Sequence, residues 1–520
     1  MEIILLKYTK YNKGTEENLF YIKEIGKEFK TQKDILNISG VTKIISFNYE
    51  NLIPHLEIKK DIHYFDLENV IKQLKGRSKS EFNKKDIPWN IWNSLSSLDY
   101  SEFNISEDDF KKRVLEAKDF YQGSNKKDLE IGSQIAFLLN VIEKLYIQVN
   151  EKLTNSIEHD RYRNVEKKLN NILFETSKKG ILFDSEKVKK HIEEVEIELY
   201  KFRNKLQLEY GIFSKYDYDN LRSNLINIIP VDLKINSKEF WKYLKFKRKE
   251  HELFEVLLTE RKLAKNKTIL TRIGSLDINT IYPYFDYFGT ITSRILVTSP
   301  SLQQLNKKYR DIIIPDIGKS LLYFDYSQFE AGLLACQADD INLIKMYDSD
   351  IYDGIVLSIG EDKISRDEAK QIFYSYCYGG ERENGNTEFF KQFPNLVIYE
   401  NLVRKEFEAN GYIDTEIGNR RYKTLGVENL KEEKWLISQK IQGLASLIIK
   451  KVILDVNEKF PNADFLLPMH DAILYQVSIE ELEQSKIKIE EIFKAAMKEY
   501  CPKLNPKVTL KDFYEYSIIT

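Results

Sequence analysis

Three segments of the chain carry residue types that could do chemistry together. The first runs Leu321-Leu322-Tyr323-Phe324-Asp325-Tyr326-Ser327-Gln328-Phe329-Glu330, an apolar run that ends abruptly in a carboxylate and is followed by a helical pattern. That order places Asp325 at the end of a strand, where ligands commonly sit in sheet-based folds. Taken alone, it reads equally as a helix-capping or loop aspartate. The second segment runs Phe465-Leu466-Leu467-Pro468-Met469-His470-Asp471-Ala472-Ile473-Leu474-Tyr475. Two apolar β-like runs around a polar pair predict a hairpin with Asp471 at its tip. Asp325 and Asp471, 146 residues apart (471 − 325), are carboxylates that adjacent strands could bring together. Two metal ions roughly 3.5–4 Å apart, clamping the attacking and leaving oxygens of an in-line displacement, require such carboxylates. Magnesium suits a site of one or two carboxylates plus substrate phosphates.

The third segment spans Ser365 to Gly380. Ser365 with Glu368 forms a capping box and Gly379-Gly380 a stop signal, which together predict a well-bounded helix. Arg366, Lys370, Tyr374 and Tyr378 recur every four residues. At about 100° per residue they drift only about 120° over roughly 18 Å of helix, so they share a face. Two cations followed by two aromatics match the polarity of a nucleotide, triphosphate first and then sugar and base. Arginine offers phosphate a bidentate fork, lysine a point charge. By itself this is also an amphipathic helix with snorkelling cations.

The elements that must position these residues are written less sharply. The 520 residues correspond to about three domains at roughly 100–200 residues each. With 42% apolar and 31% charged residues, the composition excludes wholesale disorder. A net charge of −2 leaves no global field for a polyanion, so any nucleic-acid surface must arise from local segregation of charge. Lys242–Arg272 is such a segment, with ten Lys/Arg against four Glu, an excess of +6 (10 − 4). It reads as a solvated helical face unless a chemical site elsewhere demands a phosphate-tracking surface. Cys336, Cys377 and Cys501 form no CxxC pair, which argues against a disulfide framework or zinc and for a reducing cytosol. The apolar start is too short for a signal peptide, and the apolar run Leu444–Leu454 is broken by Lys450-Lys451. A soluble cytoplasmic protein with no membrane segment is therefore expected. Residues 1–100 mix β-like and helical runs, as at Ile3–Leu6 and Thr42–Phe47. From about Asp108 to Leu208 a 3.6-residue period dominates, as in Ile135–Leu139–Ile142–Leu145 and Val188–Ile192–Val195–Leu199.

Together the motifs resemble those of family A DNA polymerases, the class of bacterial DNA polymerase I and many phage replicative enzymes. Asp325-Tyr326-Ser327-Gln328-Phe329-Glu330 is similar to the first palm motif, Arg366-x3-Lys370-x3-Tyr374-x3-Tyr378-Gly379 to the fingers helix, and His470-Asp471 to the second palm motif. Gly289–Arg294 through Pro300–Gln303, Thr415-x2-Gly418-Asn419-Arg420-Arg421, Ile441-Gln442-Gly443-x-Ala445, Glu260–Lys265 and Glu175-x4-Gly180-x3-Asp184 match further family stretches in order. The matches run from about residue 160 to 520. The resemblance implies an α+β multidomain fold of the right-hand polymerase type: an antiparallel palm sheet with helical fingers and thumb, preceded by an α/β exonuclease-like (RNase H-like) domain. The expected division is 1–154 exonuclease-like, 155–275 thumb, and 276–520 palm with the fingers inserted at about 350–430.

The resemblance also implies roles. Asp325, Asp471 and the Tyr326 carbonyl would hold two Mg²⁺, with Mn²⁺ as a substitute, and Lys370 would protonate the leaving pyrophosphate. Arg366 and Lys370 would bind phosphates, Glu330 would exclude a 2′-hydroxyl, and Gln328, Tyr374 and Tyr378 complete the nucleotide site. Arg294, Gln303, Gln442, His470, Arg420 and Arg421 would contact DNA. The expected partners are primer–template DNA and dNTPs, bound by a monomer; the residues name no processivity or replisome partner. The chain departs from the pattern at Ala472, where a glutamate is usual, at Ser438 and Lys434, where asparagine and arginine are usual, and at Ser293, where glycine is usual. In the N-terminal region, Ile3–Thr9 stands at the first exonuclease strand without an Asp-x-Glu, and Ile135 where the last metal-binding aspartate would be. Placing Asp66-x-Glu68 as that first motif leaves about 90 residues before the thumb, which is short for the fold. An exonuclease-like domain without exonuclease activity is the expectation. Two rival functions stand beside synthesis of DNA: a polymerase-like primer–template binder with impaired catalysis, motivated by Ala472, and an RNA-synthesising relative, against which Glu330 speaks.

Overall fold

The computed structural model describes residues 1–12, 15–33, 40–77, 90–122, 131–213, 218–360, 364–377, 387–427 and 433–515. They fall into two units, each built around its own core. The first comprises Met1–Lys179, Tyr284–Val297 and Gly318–Lys511. The second comprises Gly180–Pro283, Thr298–Ile317 and the chain from Asp512.

The first unit begins with a five-stranded sheet. Its strands are β1 (Glu2–Asn12), β2 (Thr15–Glu24), β3 (Phe29–Gln32), β4 (Lys43–Ser46) and β5 (His63–Asp66), in the order β3-β2-β1-β4-β5. β1 pairs antiparallel with β2 and parallel with β4. Its run Ile3–Leu6 does not alternate because both faces are covered: Ile3 and Leu5 enter one core cluster, Ile4 and Leu6 another. The second cluster includes Ile135, Leu139, Ile142 and Leu145 from helix α2 (Ile131–Thr154), the face expected from their spacing. Ile135 is fully buried beside the strand residues and serves as packing.

Asp66 ends β5 and caps helix α1 (Leu67–Lys75), accepting the Glu68 and Asn69 amides at 3.0 and 3.2 Å. It also accepts the Tyr284 hydroxyl at 3.0 Å. Burial, and to a lesser degree Asp286, push its carboxyl up to about 6, against the pull of Lys72 and the Asn69 amide. Because the folded value lies above the ordinary one, the stability Asp66 lends is complete below about pH 4 and is lost as pH rises through 6. The melting temperature of the native chain minus that of Asp66→Ala should therefore shrink across pH 4–6, by about 3 kcal/mol at most in free energy. A difference constant over that range would show that Asp66 ionises normally. After α2 the chain passes through a π-helical turn, Tyr162–Glu166, into the helix Lys167–Lys179.

In the second unit, α3 (Ser185–Tyr210) starts at Asp184, whose side chain accepts the Glu186 and Lys187 amides, and stops at Gly211 with φ +62°. α4 (Glu252–Gly274) packs along it. Phe240, Leu244, Leu253, Phe254 and Leu257 form this unit's core. Within the basic stretch, Arg248 pairs with Glu255, Lys247 with Glu250, and Arg261 lies 4.1 Å from the centre of the Trp241 ring. At least three of the ten cations of that stretch are thus engaged by neighbouring side chains.

The first unit resumes with an antiparallel four-stranded sheet: β6 (Lys319–Tyr326), β7 (Asp464–Met469), β8 (Ala472–Ser478) and β9 (Val508–Lys511), in the order β7-β8-β6-β9. Around it lie α5 (Phe329–Gln337), α6 (Ile351–Ile359), α7 (Arg366–Cys377), the apolar α8 (Leu436–Lys459) and α9 (Leu482–Tyr500). The Tyr326 hydroxyl donates to the Phe493 carbonyl of α9 at 2.5 Å, tying the end of β6 to its backing helix. No helix among the described residues is long and apolar enough to cross a membrane.

Candidate active site

β6 and β8 bring the two aspartates together. Asp325 faces Ala472 in the ladder, and the Tyr326 amide donates to the Asp471 carbonyl at 3.2 Å. β7 and β8 close through the two-residue loop His470-Asp471, the hairpin that the sequence predicts. A loop this short needs a positive φ at its first position, and His470 adopts +61°. His470 is exposed and Asp471 half-buried. Burial, then the Glu330 and Asp325 carboxylates, push the Asp471 carboxyl up to about 6; Arg294 and Lys370 act the other way. Like charges crowded this closely favour a positive partner. Asp325 pairs with Lys511 on β9, whose neighbour Thr509 faces Asp325 in the ladder, and Glu330 pairs with Arg294. Lys511 was not visible in the sequence as a site residue, because nothing local ties the last strand to one 186 residues earlier.

No group of three His, Cys, Asp or Glu side chains placed to hold a metal occurs among the described residues. The donors available are the Asp325–Asp471 pair and the adjacent Tyr326 carbonyl. Two hard oxygen anions with crowded charge fit Mg²⁺ when substrate phosphates complete the shell.

α7 supplies the cationic side. Its capping box forms: the Ser365 amide donates to Glu368 Oε2 at 2.8 Å and the Glu368 amide to Ser365 Oγ at 3.4 Å. Arg366, Lys370 and Tyr374 share the expected face, since all three approach the buried ring of Tyr352 on α6. The Arg366 guanidinium lies 5.2 Å and the Lys370 ammonium 5.9 Å from its centre, and the two tyrosine hydroxyls are 3.4 Å apart. Asp350, which caps α6, also pairs with Arg366 at 2.6 Å, and Asp353 does so at 3.2 Å. Burial, then Tyr352, Glu330 and Asp471, hold the Tyr374 hydroxyl well above its ordinary pKa. The Tyr326 amide on the Asp471 carbonyl joins the first segment to the second, and Gln328 joins the first to α6, whose Tyr352 meets α7, so the three sequence segments converge on one site. Tyr378 and Gly379-Gly380 lie outside the described residues. Gln328, at φ +53°, accepts the Ile351 amide at 2.8 Å and so anchors the start of α6. Asp350 and Tyr352 were not legible in the sequence; an ordinary helix cap and an aromatic two residues beyond it carry no distinguishing signal.

The expected DNA contacts are dispersed. Arg294 belongs to the carboxylate cluster. Gln442 is half-buried on α8, and Gln303 lies in the second unit, on the turn Leu302–Gln304. Arg420 forks onto Asp414 at 2.8 and 2.9 Å and stacks 3.5 Å from the centre of the Tyr412 ring. Arg421 stacks at 3.9 Å on Trp435. The Asn419 and Arg420 amides donate to Glu158 at 2.9 and 2.8 Å. Both arginines therefore have partners within the protein.

The model of DNA polymerase family A matches residues 141–511. The DNA polymerase I of Borreliella burgdorferi is 27% identical over 439 residues, 75% of this chain and 46% of that protein. That of Bacillus subtilis is 23% identical over 467 residues, 79% of this chain and 52% of that protein. The chain thus spans about half the length of these relatives. The polymerase domain of Pol1 from M. smegmatis, solved in complex with DNA primer–template and dNTP, superposes with a TM-score of 0.68 at 16% identity, covering 98% of this chain and 94% of that one. The likeness in fold therefore extends over nearly the whole chain, the N-terminal sheet included.

Proposed function

The chain belongs to DNA polymerase family A and has the mixed helix and sheet architecture of the right-hand polymerases, and from that premise we propose that it is a DNA-directed DNA polymerase. It adds deoxynucleotides to a primer 3′-hydroxyl and does not proofread. The observation that carries the reading is the pairing of Asp325 and Asp471 at the ends of β6 and β8 next to α6, whose Tyr352 meets Arg366, Lys370 and Tyr374 of α7. Asp325, Asp471 and the Tyr326 carbonyl would hold two Mg²⁺, which would activate the 3′-hydroxyl and neutralise the triphosphate. Arg366 exchanges Asp350 and Asp353 for the β- and γ-phosphates, to which its fork is better matched. Lys370 gives a proton to the leaving pyrophosphate oxygen. Glu330, held by Arg294, lies under the sugar and rejects a 2′-hydroxyl, and Tyr378 stacks near the templating position. Gln303, Gln442, His470, Arg420 and Arg421 approach the primer–template duplex.

Residues 155–275 act as the thumb, and 276–520 as the palm with fingers at about 350–430. Residues 1–154 are an exonuclease-like domain without its chemistry. The sheet order and the apolar character of β1 and Ile135 support this reading. The test is extension of a recessed primer with Mg²⁺ and dNTPs or rNTPs, with a mismatched 3′ end in parallel. Template-directed extension with dNTPs, and a mismatch left untrimmed, is the expected result. Salt-dependent duplex binding with no extension would favour a binding protein, in which Ala472, buried opposite Asp325, marks a disabled site.

Tyr374 adds a prediction about the sugar. Its hydroxyl can supply the hydrogen bond that a nucleotide lacking a 3′-hydroxyl loses, so dideoxynucleotides should be incorporated efficiently. Tyr374→Phe should shift the preference towards dNTPs by about tenfold, the order of one hydrogen bond to a polar partner. An unchanged ddNTP/dNTP ratio would remove Tyr374 from that role.

A further inference from the structure

Behind the carboxylate cluster lies a buried ionic strut that the chemistry above does not use. Arg161, Glu166 and Lys450 are each fully buried. Arg161 Nε donates to Glu166 Oε1 at 2.8 Å, and Lys450 Nζ reaches both Glu166 oxygens at 2.8 and 2.7 Å. The guanidinium has two further arms: one donates to the Ile417 carbonyl at 3.1 Å, the other to Ser293 Oγ at 2.6 Å. The Ser293 hydroxyl in turn donates to Ser446 on α8 at 3.2 Å, and Ser446 donates back to the Ser293 carbonyl at 2.7 Å. Ser293 is fully buried with φ +57°, a conformation costly for a residue with a Cβ. It stands where the family motif has glycine, and its hydroxyl takes the arginine's third arm.

The residue after Ser293 is Arg294, whose amide donates to Thr290 Oγ1 at 3.0 Å and whose guanidinium pairs with Glu330. The direction in which Arg294 leaves the backbone is set by the turn that Ser293 completes, closed by the Ser293 amide on the Thr290 carbonyl at 2.9 Å and the Gly289 amide on the Arg294 carbonyl at 3.1 Å. We infer that Arg161 is a positioning residue for nucleotide selection, fixing through the Ser293 hydroxyl the left-handed turn that aims Arg294 at Glu330. This rests on the polymerase reading for its functional consequence, but not for its geometry. A strained turn held by a charge-assisted hydrogen bond is preorganised. Released from Arg161, the turn is free to let Arg294 swing off Glu330, and the carboxylate loses the orientation from which it meets the sugar.

Ser293→Gly is the informative variant, because it removes the hydroxyl while relieving the backbone. It should raise the KM for dNTPs about tenfold and lower the deoxy-over-ribo preference by a similar factor, the order expected for losing one charge-assisted hydrogen bond. kcat should change little and the melting temperature should not fall. Arg161→Met leaves the neutral Glu166–Lys450 pair in place and should show the same split. The double variant should add nothing to either, since both act through one bond. Wild-type KM and selectivity in both single variants would overturn the inference. If the native chain extends no primer, the polymerase reading fails. Crystal structures of the native chain and Ser293→Gly then decide: Arg294 displaced from Glu330 supports the inference, and Arg294 in place overturns it.

Discussion

Asp471→Ala is expected to abolish primer extension, slowing nucleotide addition by roughly 10³–10⁴-fold. Metal-held oxygens contribute several kcal/mol to an in-line displacement, and each 1.4 kcal/mol is a factor of ten. Asp471 stands at the tip of a hairpin with no neighbour able to replace it: the next residue is Ala472, and Glu330 is committed to Arg294. The same substitution should leave the fold at least as stable at neutral pH, because it removes one of three carboxylates crowded against each other. Loss of activity with an undiminished melting temperature separates a missing ligand from a misfolded protein. Added Mg²⁺ should raise the melting temperature of the native chain and not that of the variant. Retention of even a tenth of the native rate would show that Asp471 is not a ligand.

Lys370→Arg should separate binding from proton transfer. Both side chains are cations that can lie beside Tyr352 and meet a phosphate, but arginine does not deprotonate in proteins. If Lys370 delivers the proton to the leaving pyrophosphate, Lys370→Arg should keep the KM for dNTPs within a few-fold while kcat in single-turnover incorporation falls by roughly 10²–10⁴-fold, the usual worth of general acid catalysis. Lys370→Met should suffer in both. A rate for Lys370→Arg close to native would reduce Lys370 to a charge on the phosphates and leave the proton to water.

Most of what could be read from the sequence was local. The capping box of Ser365 and Glu368, the face shared by Arg366, Lys370 and Tyr374, and the hairpin at His470-Asp471 each depend on spacings of a few residues, and each formed. Of the pairings over long distances, that of Asp325 with Asp471 was legible from the strand ends that bear them; others were not. Lys511 reaches Asp325 only because β9 adds to β6, and Tyr352 reaches α7 only because α6 packs beside it. The same holds for Ser293. Its departure from the family glycine was plain, yet its meaning required Arg161, 132 residues earlier, at 2.6 Å. Tyr378 completes the α7 motif in sequence but falls outside the described residues.

The two-sided burial of β1 has an evolutionary consequence. Ile4 and Leu6 lie in one core and Ile3 and Leu5 in the other, all fully buried. A carboxylate placed at Leu5 or Leu6, which face Ile22 and Tyr21 across the sheet, would be buried among hydrocarbon and aromatic side chains at a cost of several kcal/mol. That is a large share of the roughly 5–15 kcal/mol that keeps a domain folded. Building a metal centre on this strand would need several acidic replacements and a re-carved cavity at once, with each intermediate less stable than its parent. The strand behaves as a ratchet against acidic replacement, closed to single steps while the rest of the sequence drifts.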